Sequence, residues 1–277
     1  MAQDGRLNKD FDLSEARKRC NKFRKRILNM SQQVTALHIG GSYSCLEIVD
    51  AVYFGMMRSD ESGIFKDTFI LSKGHGSLAQ YTVLEELGIL SSDYLDEYGN
   101  GGRLGTHPDI GIPGIQVSSG SLGHGLAIGM GMAFSENVFV MDRQVFIVMS
   151  DGELQVGSVW ESMMLAPTMD LSNVIGFLDL NDYQSFGPTS LTHPNFYPVA
   201  DKIRAFGWEC FEVDGHNSDD IYNAFLARSG DKPTLIVCKT TKGKGISYME
   251  NEAIWHYRSP SPEEYAIAMN ELGEAIL

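Results

Sequence analysis

Two polar residues, Asp151 and Asn181, stand where their side-chain oxygens could bind a metal ion. Asp151 follows the apolar run 145–149 and is itself followed by Gly152, while Asn181 ends a second largely apolar run. Carboxylate and amide oxygens are ligands that Mg²⁺ and Ca²⁺ take in proteins. Because the glycine lets the backbone approach a phosphate-bearing ligand closely, the pair predicts a metal-bridged diphosphate site.

A simple turn is the competing interpretation of this pattern. An Asp-Gly pair after a strand is most often a turn in which the aspartate bonds its own backbone. The order of the elements favours a binding site, because the two apolar runs flank a helical stretch that carries Trp160 and Met163. Strand, helix and strand make a βαβ unit, whose ligand crevice lies at the carboxyl ends of the strands.

The alternation of predicted strands and helices indicates an α/β protein with a mostly parallel sheet flanked by helices. We expect one domain spanning residues 1–277. Residues 40–42 are expected to form a flexible loop, residues 97–121 an ordered loop, and residues 182–198 a further loop. The small residues of 123–134 indicate a closely packed helix. The remaining periodic segments predict helices over 13–33, 44–57, 78–90, 199–206 and 218–228, and strands over 67–71, 145–149, 208–213 and 234–238. Asp12 or Ser14 is the expected cap of the first helix.

Composition excludes several classes of function. A formal net charge of -14 argues against binding to nucleic acid or to an anionic membrane, since phosphate backbones are bound through a surplus of Lys and Arg. The four cysteines are scattered without CxxC spacing, which predicts reduced thiols in a cytoplasmic protein. Residues 1–4 begin no targeting segment, and no apolar stretch approaches the length that crosses a bilayer.

An ordered series of short motifs then resembles one family. The motifs are HIGGS (38–42), SKGHG (72–76), GTHP (105–108), SGSLG (119–123), SDGE (150–153), DLN (179–181), DGH (214–216), KTTKGKG (239–245) and WH (255–256). In order and spacing the chain is similar, over about residues 13–271, to the amino-terminal thiamine-diphosphate-binding (PP-type) domain of transketolases. The resemblance is strongest to the separate first subunit of two-subunit bacterial transketolases.

The resemblance implies a cofactor and a metal. The family motif begins Gly-Asp-Gly and ends at an asparagine about thirty positions on, as Asp151 and Asn181 do here. It implies that these two residues, with the backbone carbonyl of Tyr183, bind Mg²⁺ or Ca²⁺ and so hold the diphosphate of thiamine diphosphate. The cofactor contacts that it implies are His75, Gly120, Ser121, Leu122, Asp151, Gly152, Glu153, Asn181, Lys244 and His256.

The resemblance also implies catalytic residues, which are His38, His75, His107, His256 and Glu161. Histidine suits such positions because its imidazole titrates near neutral pH and can move protons. Any one of these histidines has at least an equal chance of being structural, but the set inside matching motifs favours function. His193 and His216 are expected to be loop residues, and Glu161 is expected to face a partner.

Several positions depart from the family pattern. Ser150 replaces a glycine, His124 a glutamine, Val156 a glutamate that faces the partner, and Tyr257 a glycine; residues 189–197 replace an acidic loop. A carboxylate of the network between subunits is therefore missing at Val156. Changes so close to the expected pocket predict a substrate other than the ordinary sugar phosphates.

The leading functional hypothesis is the cofactor-binding subunit of a heteromeric transketolase that moves a two-carbon ketol unit from a ketose to an aldose. Its expected partners are a companion carboxyl-terminal subunit with the pyrimidine-binding domain, in a heterotetramer, and a sugar or sugar-phosphate substrate. Two alternatives stay open: a subunit of a decarboxylating thiamine-diphosphate enzyme, and a non-catalytic scaffold descended from an enzyme.

Overall fold

A five-stranded, wholly parallel sheet forms the centre of the computed structural model, which describes residues 11–99 and 101–274. Its strands lie in the order β1-β2-β3-β7-β6, and a short antiparallel hairpin, β4–β5, lies beside them. The strands are β1 (Thr68–Leu71), β2 (Val145–Ser150), β3 (Val174–Leu180), β4 (Tyr183–Gln184), β5 (Gly187–Pro188), β6 (Glu209–Asp214) and β7 (Thr234–Lys239). The predicted parallel α/β architecture is confirmed.

Helices connect the strands. The α-helices are α1 (Leu13–Ser31), α2 (Ile39–Ser44), α3 (Leu46–Asp50), α4 (Ser77–Glu86), α5 (Ser92–Asp96), α6 (Gly125–Val138), α7 (Gly157–Thr168), α8 (Thr189–Thr192), α9 (Val199–Ala205), α10 (Ser218–Ala227) and α11 (Pro262–Glu274). A π-helical turn, Ala51–Met56, continues α3. The carboxylate of Asp12 caps α1 by accepting a hydrogen bond of 2.7 Å from the backbone N–H of Ser14, so Asp12 is the cap.

The sheet is covered on both faces, which explains why its strands are apolar throughout. Phe146 and Val148 of β2 pack into one buried cluster with residues of α1, α3 and α4. Ile147 and Met149 of the same strand pack into a second cluster with residues of α6, α7 and α9. Alternate side chains of a strand point to opposite faces, so a strand between two helical layers needs apolar residues at every position.

The parallel register places the polar ends of the strands side by side. Ser150 of β2 pairs with Asp179 of β3, and Leu180 of β3 pairs with Lys239 of β7. The motifs after β1, β2, β3 and β7 therefore emerge at one edge of the sheet, although they are far apart in the chain. This edge is where ligands bind in open parallel sheets.

The expectation of a flexible loop over residues 40–42 is wrong, because these residues lie within helix α2. A side chain at Gly40 would meet the carbonyl oxygen of Trp255 at 2.7 Å, and one at Gly41 would meet the ring of His75 at 3.0 Å. Glycine is thus present for close approach of the helix, not for flexibility. The single helix predicted over residues 44–57 is divided into α2, α3 and the π-helical turn, and the loop predicted over 182–198 contains the β4–β5 hairpin and α8.

Three predictions concern membrane spans, the start of the chain and its division into domains. Within residues 11–99 and 101–274, no helix is long and apolar enough to cross a bilayer. The prediction for residues 1–4 lies outside the described residues, and the assignment of residues 1–277 to a single domain stays a prediction.

Two glycines of α6 make a matched test of how closely this helix packs. A Cβ at Gly125 would lie 2.3 Å from the Ser72 Oγ and 2.8 Å from the Ser72 Cα, whereas a Cβ at Gly131 would meet no atom within 4 Å. Gly125→Ala should lower the free energy of unfolding by about 1–3 kcal/mol through overpacking. Gly131→Ala should raise it by up to about 1 kcal/mol, because alanine favours the helix. Urea unfolding of both variants measures the difference, and equal effects would contradict the packing described here.

Candidate functional site

A cavity of about 240 Å³ opens at the carboxyl ends of the strands. Its walls come from the turn after β1, the glycine-rich loop before α6, the turn after β2, the hairpin after β3 and the segment before α11. The lining residues are His38, His75, His107, Gly120, Leu122, Ser150, Gly152, Tyr183, Gln184, Ser185 and His256. Residues from most of the sequence motifs thus meet in one place.

The four histidines predicted to act together line this cavity. The ring of His38 lies 5.8 Å from that of His75, 5.7 Å from His107 and 5.3 Å from His256, measured between ring centres. His75 and His256 are 5.7 Å apart. Rings at this spacing can surround a small polar molecule and reach several of its hydroxyl groups at once.

The surroundings of the histidines disfavour their charged forms. Burial, followed by the nearby His107 and Lys242, lowers the pKa of His38 to about 4, and burial with Lys242 lowers the pKa of His256 to about 4. Burial also holds the pKa of His75 well below its ordinary value. These three imidazoles are therefore neutral at pH 7, each with one N–H donor and one acceptor nitrogen.

Lys242, which the sequence interpretation missed, lies against this cluster. Its ammonium is 3.0 Å from the Nδ1 atom of His256, and its side chain is buried. Lys244, the predicted cofactor contact, instead forms an ion pair of 3.4 Å with Glu250 and does not line the cavity. The two lysines stand in one motif, KTTKGKG, so composition gave no means of choosing between them.

A second buried lysine, Lys73, forms an ion pair with Asp179 beneath the cavity, and both side chains are fully buried. Lys73 also donates to the carbonyl of Gly41 at 2.8 Å, and Asp179 accepts from Ser44 Oγ at 2.5 Å and from Thr240 Oγ1. Burial opposes both charges, but the pairing raises the pKa of Lys73 and lowers that of Asp179, so both stay ionised. The sequence interpretation assigned no role to this pair.

The candidate metal ligands Asp151 and Asn181 are buried, and Gly152 and Tyr183, which are close to them in sequence, line the cavity. Asp151 accepts a hydrogen bond from the backbone of Gly152 at 2.8 Å, and Asn181 accepts one from the backbone of Tyr183 at 2.9 Å through its side-chain oxygen. The amide nitrogen of Asn181 donates to Asp179 at 3.1 Å, which fixes the orientation of the amide group. The oxygen of Asn181 is therefore the atom left to bind a cation.

The charges of the site fit a bound cation and a bound anion together. Burial and the neighbouring Asp179 raise the pKa of Asp151 to about 7, and among the described residues no Lys, Arg or His forms an ion pair with its carboxylate. Burial and the nearby Lys73 lower the pKa of Lys242 to about 8, and no carboxylate among the described residues pairs with it. A metal ion would compensate Asp151, and a diphosphate would compensate Lys242.

The donor set fits a metal ion that shares its ligands with a phosphate. No group of three or more His, Cys, Asp or Glu side chains among the described residues could hold a metal ion by itself. Asp151, Asn181 and the Tyr183 carbonyl would supply three oxygens, fewer than the six that Mg²⁺ takes. Mg²⁺ commonly completes its coordination with phosphate oxygens and water, so the residues fit a cation held jointly with a diphosphate.

The other predicted cofactor contacts fall into two groups. Gly120, Leu122 and Gly152 line the cavity; Gly120 has φ 134°, and a side chain there would meet the ring of His107 at 3.0 Å. Glu153 is buried and does not line the cavity. It joins two loops to the end of β2 by accepting hydrogen bonds from Ser72 Oγ, from the backbone of Gly123 at 2.7 Å and from that of Ser150 at 3.3 Å. Ser121 is exposed.

Glu161 lies outside the cavity on the exposed face of α7, beside the exposed Met164 and Leu165. Val156, which stands where a glutamate was expected, is partly buried against Gly123 at the start of α6. Valine therefore fills space between the beginnings of α6 and α7. Of positions 156 and 161, only position 161 therefore carries a carboxylate, and it is exposed to a possible partner.

The other departures lie around the cavity. The ring of Tyr257 packs on that of His38, 4.6 Å away between centres, and is half exposed. His124 closes the turn before α6 through its Nδ1 atom, 3.1 Å from the carbonyl of Ser121.

His216, predicted to be a loop residue, lies in the loop before α10, where it contacts Glu47 at 3.0 Å and accepts from the backbone of Thr241 at 2.8 Å.

Comparison with known proteins gives matches over nearly the whole chain. Residues 16–274 match the family described as "Transketolase, thiamine diphosphate binding domain". The chain is 38% identical over 261 residues to a protein of Phocaeicola vulgatus that is named as one subunit of an apulose-4-phosphate transketolase, covering 92% of each chain. It is 35% identical over 259 residues to the "6-deoxy-6-sulfo-D-fructose transketolase subunit SqwG" of a Clostridium species, covering 91% of this chain and 94% of that one.

Solved structures give the same likeness. The transketolase from Leishmania mexicana superimposes with a TM-score of 0.85 and 26% identity over 93% of this chain. The chain spans only 41% of the length of that enzyme. The match therefore concerns one part of a longer protein.

Because no carboxylate in the described part of the chain pairs with the buried charge of Lys242, replacing this residue by an uncharged one should stabilise the folded chain. The pKa of this lysine is about 8 in the folded chain against an ordinary 10.5, so the unfolded chain binds its proton more tightly. Lys242→Met should therefore raise the free energy of unfolding by on the order of 1–3 kcal/mol at pH 7. The gain should shrink as the pH rises from 8 to 10.5, because the folded wild-type chain then loses the unfavourable charge.

Urea unfolding at pH 7 and about pH 9.5 without ligands measures this effect. Lys239→Met, at an exposed lysine at the end of β7, is the matched control and should show no such gain. If the free energies of unfolding of Lys242→Met and the wild type differ by the same amount at both pH values, the pKa of Lys242 is not lowered in the folded chain.

Proposed function

The chain belongs to the transketolase family, in its thiamine-diphosphate-binding domain, and from this premise we propose that it is the cofactor-binding subunit of a two-subunit transketolase. Such an enzyme transfers a two-carbon ketol unit from a ketose to an aldose. The bond between the second and third carbons of the donor breaks, the hydroxyl on the third carbon loses its proton, and a shortened aldose leaves. Thiamine diphosphate, when bound, would accept the electron pair of that bond and hold the two-carbon unit until the acceptor takes it up. The acceptor aldose then undergoes the reverse steps.

The observation that carries this proposal is the ring of four histidines, His38, His75, His107 and His256, at the cavity. Ketol transfer needs donors to several substrate hydroxyls and groups that can take up and return a proton. Three of these histidines are neutral at pH 7, so each offers one N–H donor and one acceptor nitrogen to the hydroxyls of a substrate. His256 accepts from the ammonium of Lys242 at Nδ1, which leaves its Nε2–H as a donor.

The cofactor and the cation would be bound on the side of the cavity that Gly152 and Tyr183 line. Asp151, Asn181 and the Tyr183 carbonyl would bind Mg²⁺ or Ca²⁺, and Lys242 would lie near the anionic diphosphate. Gly120 and Gly152 line the cavity and would allow the cofactor to approach the backbone. Thiamine diphosphate, when bound, supplies the carbon nucleophile of its thiazolium ring, and the protein supplies orientation and charge.

A companion protein is supported by the names of relatives and by an exposed apolar surface. The chain covers 92% and 94% of two relatives that are themselves named transketolase subunits. On this chain, α6 and α7 pack side by side and leave large apolar side chains in solvent. These are Ile128, Phe134, Val138, Met164 and Leu165. An apolar patch of this kind marks an interaction surface, and Glu161 lies within it.

The substrate is proposed to be a sugar or sugar phosphate outside the most common set. Relatives are named for apulose 4-phosphate and for 6-deoxy-6-sulfo-D-fructose. Tyr257, which packs on His38 beside the cavity, would narrow the path to the histidines. We further propose a heterotetramer in the cytoplasm; among the described residues all four cysteines are free thiols, which suits a reducing compartment.

Two other functions have specific support. A decarboxylating thiamine-diphosphate enzyme would share Asp151 and Asn181, but the set of four histidines favours ketol transfer. A scaffold without catalysis would be suggested by Val156 and Tyr257, but the buried and unpaired charges of Asp151 and Lys242 favour a bound cofactor.

Cofactor binding is tested by calorimetric titration of thiamine diphosphate with Mg²⁺ into the chain and its companion. Asp151→Ala should weaken binding by on the order of 100-fold or more, because loss of even an outer partner of a metal site costs 10- to 100-fold. Asp201→Ala, at an exposed carboxylate on α9, is the control and should bind as the wild type does. Absence of binding by the wild type would favour the scaffold alternative.

The reaction is tested with a panel of ketose phosphates, free ketoses and α-keto acids. We expect ketose donors to release a shortened aldose without CO₂, and only when chain and companion are mixed. Phe134→Glu places a charge in the apolar patch and should abolish both assembly and activity, whereas Ile64→Glu, at an exposed apolar residue elsewhere, should not. Transfer by the chain alone, or release of CO₂ from an α-keto acid, would reject the proposed function.

A further inference from the structure

A buried hydroxyl connects Asp151 to the segment Tyr183–Tyr197, which comprises β4, β5, α8 and the turn after them. The Oγ1 atom of Thr189 lies 3.1 Å from Asp151 Oδ2, 3.0 Å from Asp182 Oδ1 and 2.7 Å from the hydroxyl of Tyr197. Thr189 is 1% exposed. One side chain thus contacts two carboxylates and a phenol in the same buried place.

Counting protons shows how this network is arranged. A threonine hydroxyl has one proton to donate, and an ionised carboxylate can only accept. Asp182 already accepts from the backbone of Ser190 and from its hydroxyl, each at 2.7 Å. Whether the Tyr197 hydroxyl donates to Thr189 at 2.7 Å or to Asp182 Oδ1 at 3.2 Å, the Thr189 proton is free for Asp151 Oδ2. Every donor and acceptor of the network is then satisfied.

The consequence for Asp151 is that its two oxygens differ. Oδ2 accepts from Thr189 and, at 2.6 Å, from the backbone N–H of Asp182. Oδ1 accepts only from the backbone of Gly152, at 2.8 Å, and Gly152 lines the cavity. A carboxylate oxygen has two lone pairs, so Oδ1 keeps one for a cation on the cavity side.

The same network holds an unusual backbone conformation at Asp182. Its φ is 62°, in the left-handed region that residues other than glycine rarely adopt. Asp182 stands between Asn181 and Tyr183, which carry the other two oxygens expected to bind the cation. The bonds from the backbone and the hydroxyl of Ser190 to the Asp182 carboxylate, and from the backbone N–H of Thr189 to the Asp182 carbonyl at 2.9 Å, stabilise this turn and so fix the spacing of those two oxygens.

We propose that Thr189 is a positioning residue for the cation and diphosphate: through Asp151 and Asp182, the segment Tyr183–Tyr197 sets how tightly the cation binds. This inference rests on the proposed function, and it adds a residue that the sequence interpretation placed only in a divergent loop. Thr189 acts through the side chain of Asp151, to which its hydroxyl donates, while Ser190 of the same segment holds Asp182. The partners of a metal ligand orient it, and their loss typically costs 10- to 100-fold in affinity.

The test is a titration of the full chain, mixed with its companion, with Mn²⁺ in the presence of thiamine diphosphate, with free Mn²⁺ read by electron paramagnetic resonance. Thr189→Val keeps the shape of the side chain and removes the hydroxyl, so we expect Mn²⁺ affinity to fall about 10-fold or more. Thr189→Ser keeps the hydroxyl and should restore affinity to near the wild-type value.

Thr192→Val is the matched control. Thr192 lies on the same short helix, and its hydroxyl accepts from Gln184 at 2.8 Å without contacting Asp151. The affinity of Thr192→Val should equal that of the wild type, so a fall in affinity that is confined to Thr189→Val and reversed in Thr189→Ser assigns the effect to the Thr189 hydroxyl. A structural role alone would lower the melting temperature of Thr189→Val and leave its Mn²⁺ affinity unchanged.

The outcomes separate this inference from the function on which it rests. Wild-type affinity in Thr189→Val overturns the inference and leaves the proposed function standing. A wild-type chain that binds no Mn²⁺ with thiamine diphosphate overturns both. If Thr189→Val does not fold, Thr189→Ala takes its place, since it also removes the hydroxyl that donates to Asp151; weaker Mn²⁺ binding supports the inference and unchanged binding overturns it.

Discussion

The buried ion pair of Lys73 and Asp179 is the interaction on which the site depends. Lys73 ends the turn after β1 and bonds the carbonyl of Gly41 in α2, while Asp179 on β3 accepts from Ser44, also in α2, and from Thr240 after β7. One pair therefore joins four segments that carry site residues. Removing one partner of such a pair leaves a charge without compensation in the interior, which typically costs about 3–5 kcal/mol.

Around this paired core the structure keeps two charges without partners. Asp151 lacks a positive neighbour in contact, and Lys242 lacks a carboxylate among the described residues. Both are buried, so each lowers the stability of the unliganded chain, and each would be compensated by one half of a metal diphosphate. Such a conflict between stability and binding is a common property of functional sites, and here the two charges suit the proposed metal diphosphate.

The departures from the family pattern acquire physical meaning from their neighbours. Val156 packs on Gly123 where α6 and α7 begin, so the loss of a carboxylate there is accompanied by gain of an apolar contact. Tyr257 packs on His38. The first change concerns the surface proposed to meet the companion, and the second concerns the approach of the substrate.

The sequence by itself determined the parallel α/β architecture, the family and the positions of the four histidines, because strand periodicity and ordered motifs are local properties of the chain. It could not decide between Lys242 and Lys244, since both stand in one short motif and only packing shows which is buried beside His256. It placed residues 40–42 in a loop, because close approach to Trp255 and His75 is invisible in composition. The pairing of Lys73 with Asp179 joins residues far apart in sequence. Thr189 contacts Asp151, which is also distant in sequence, and Asp182, whose backbone angles are unusual. Only the tertiary structure, which sets distances between distant segments, decided them.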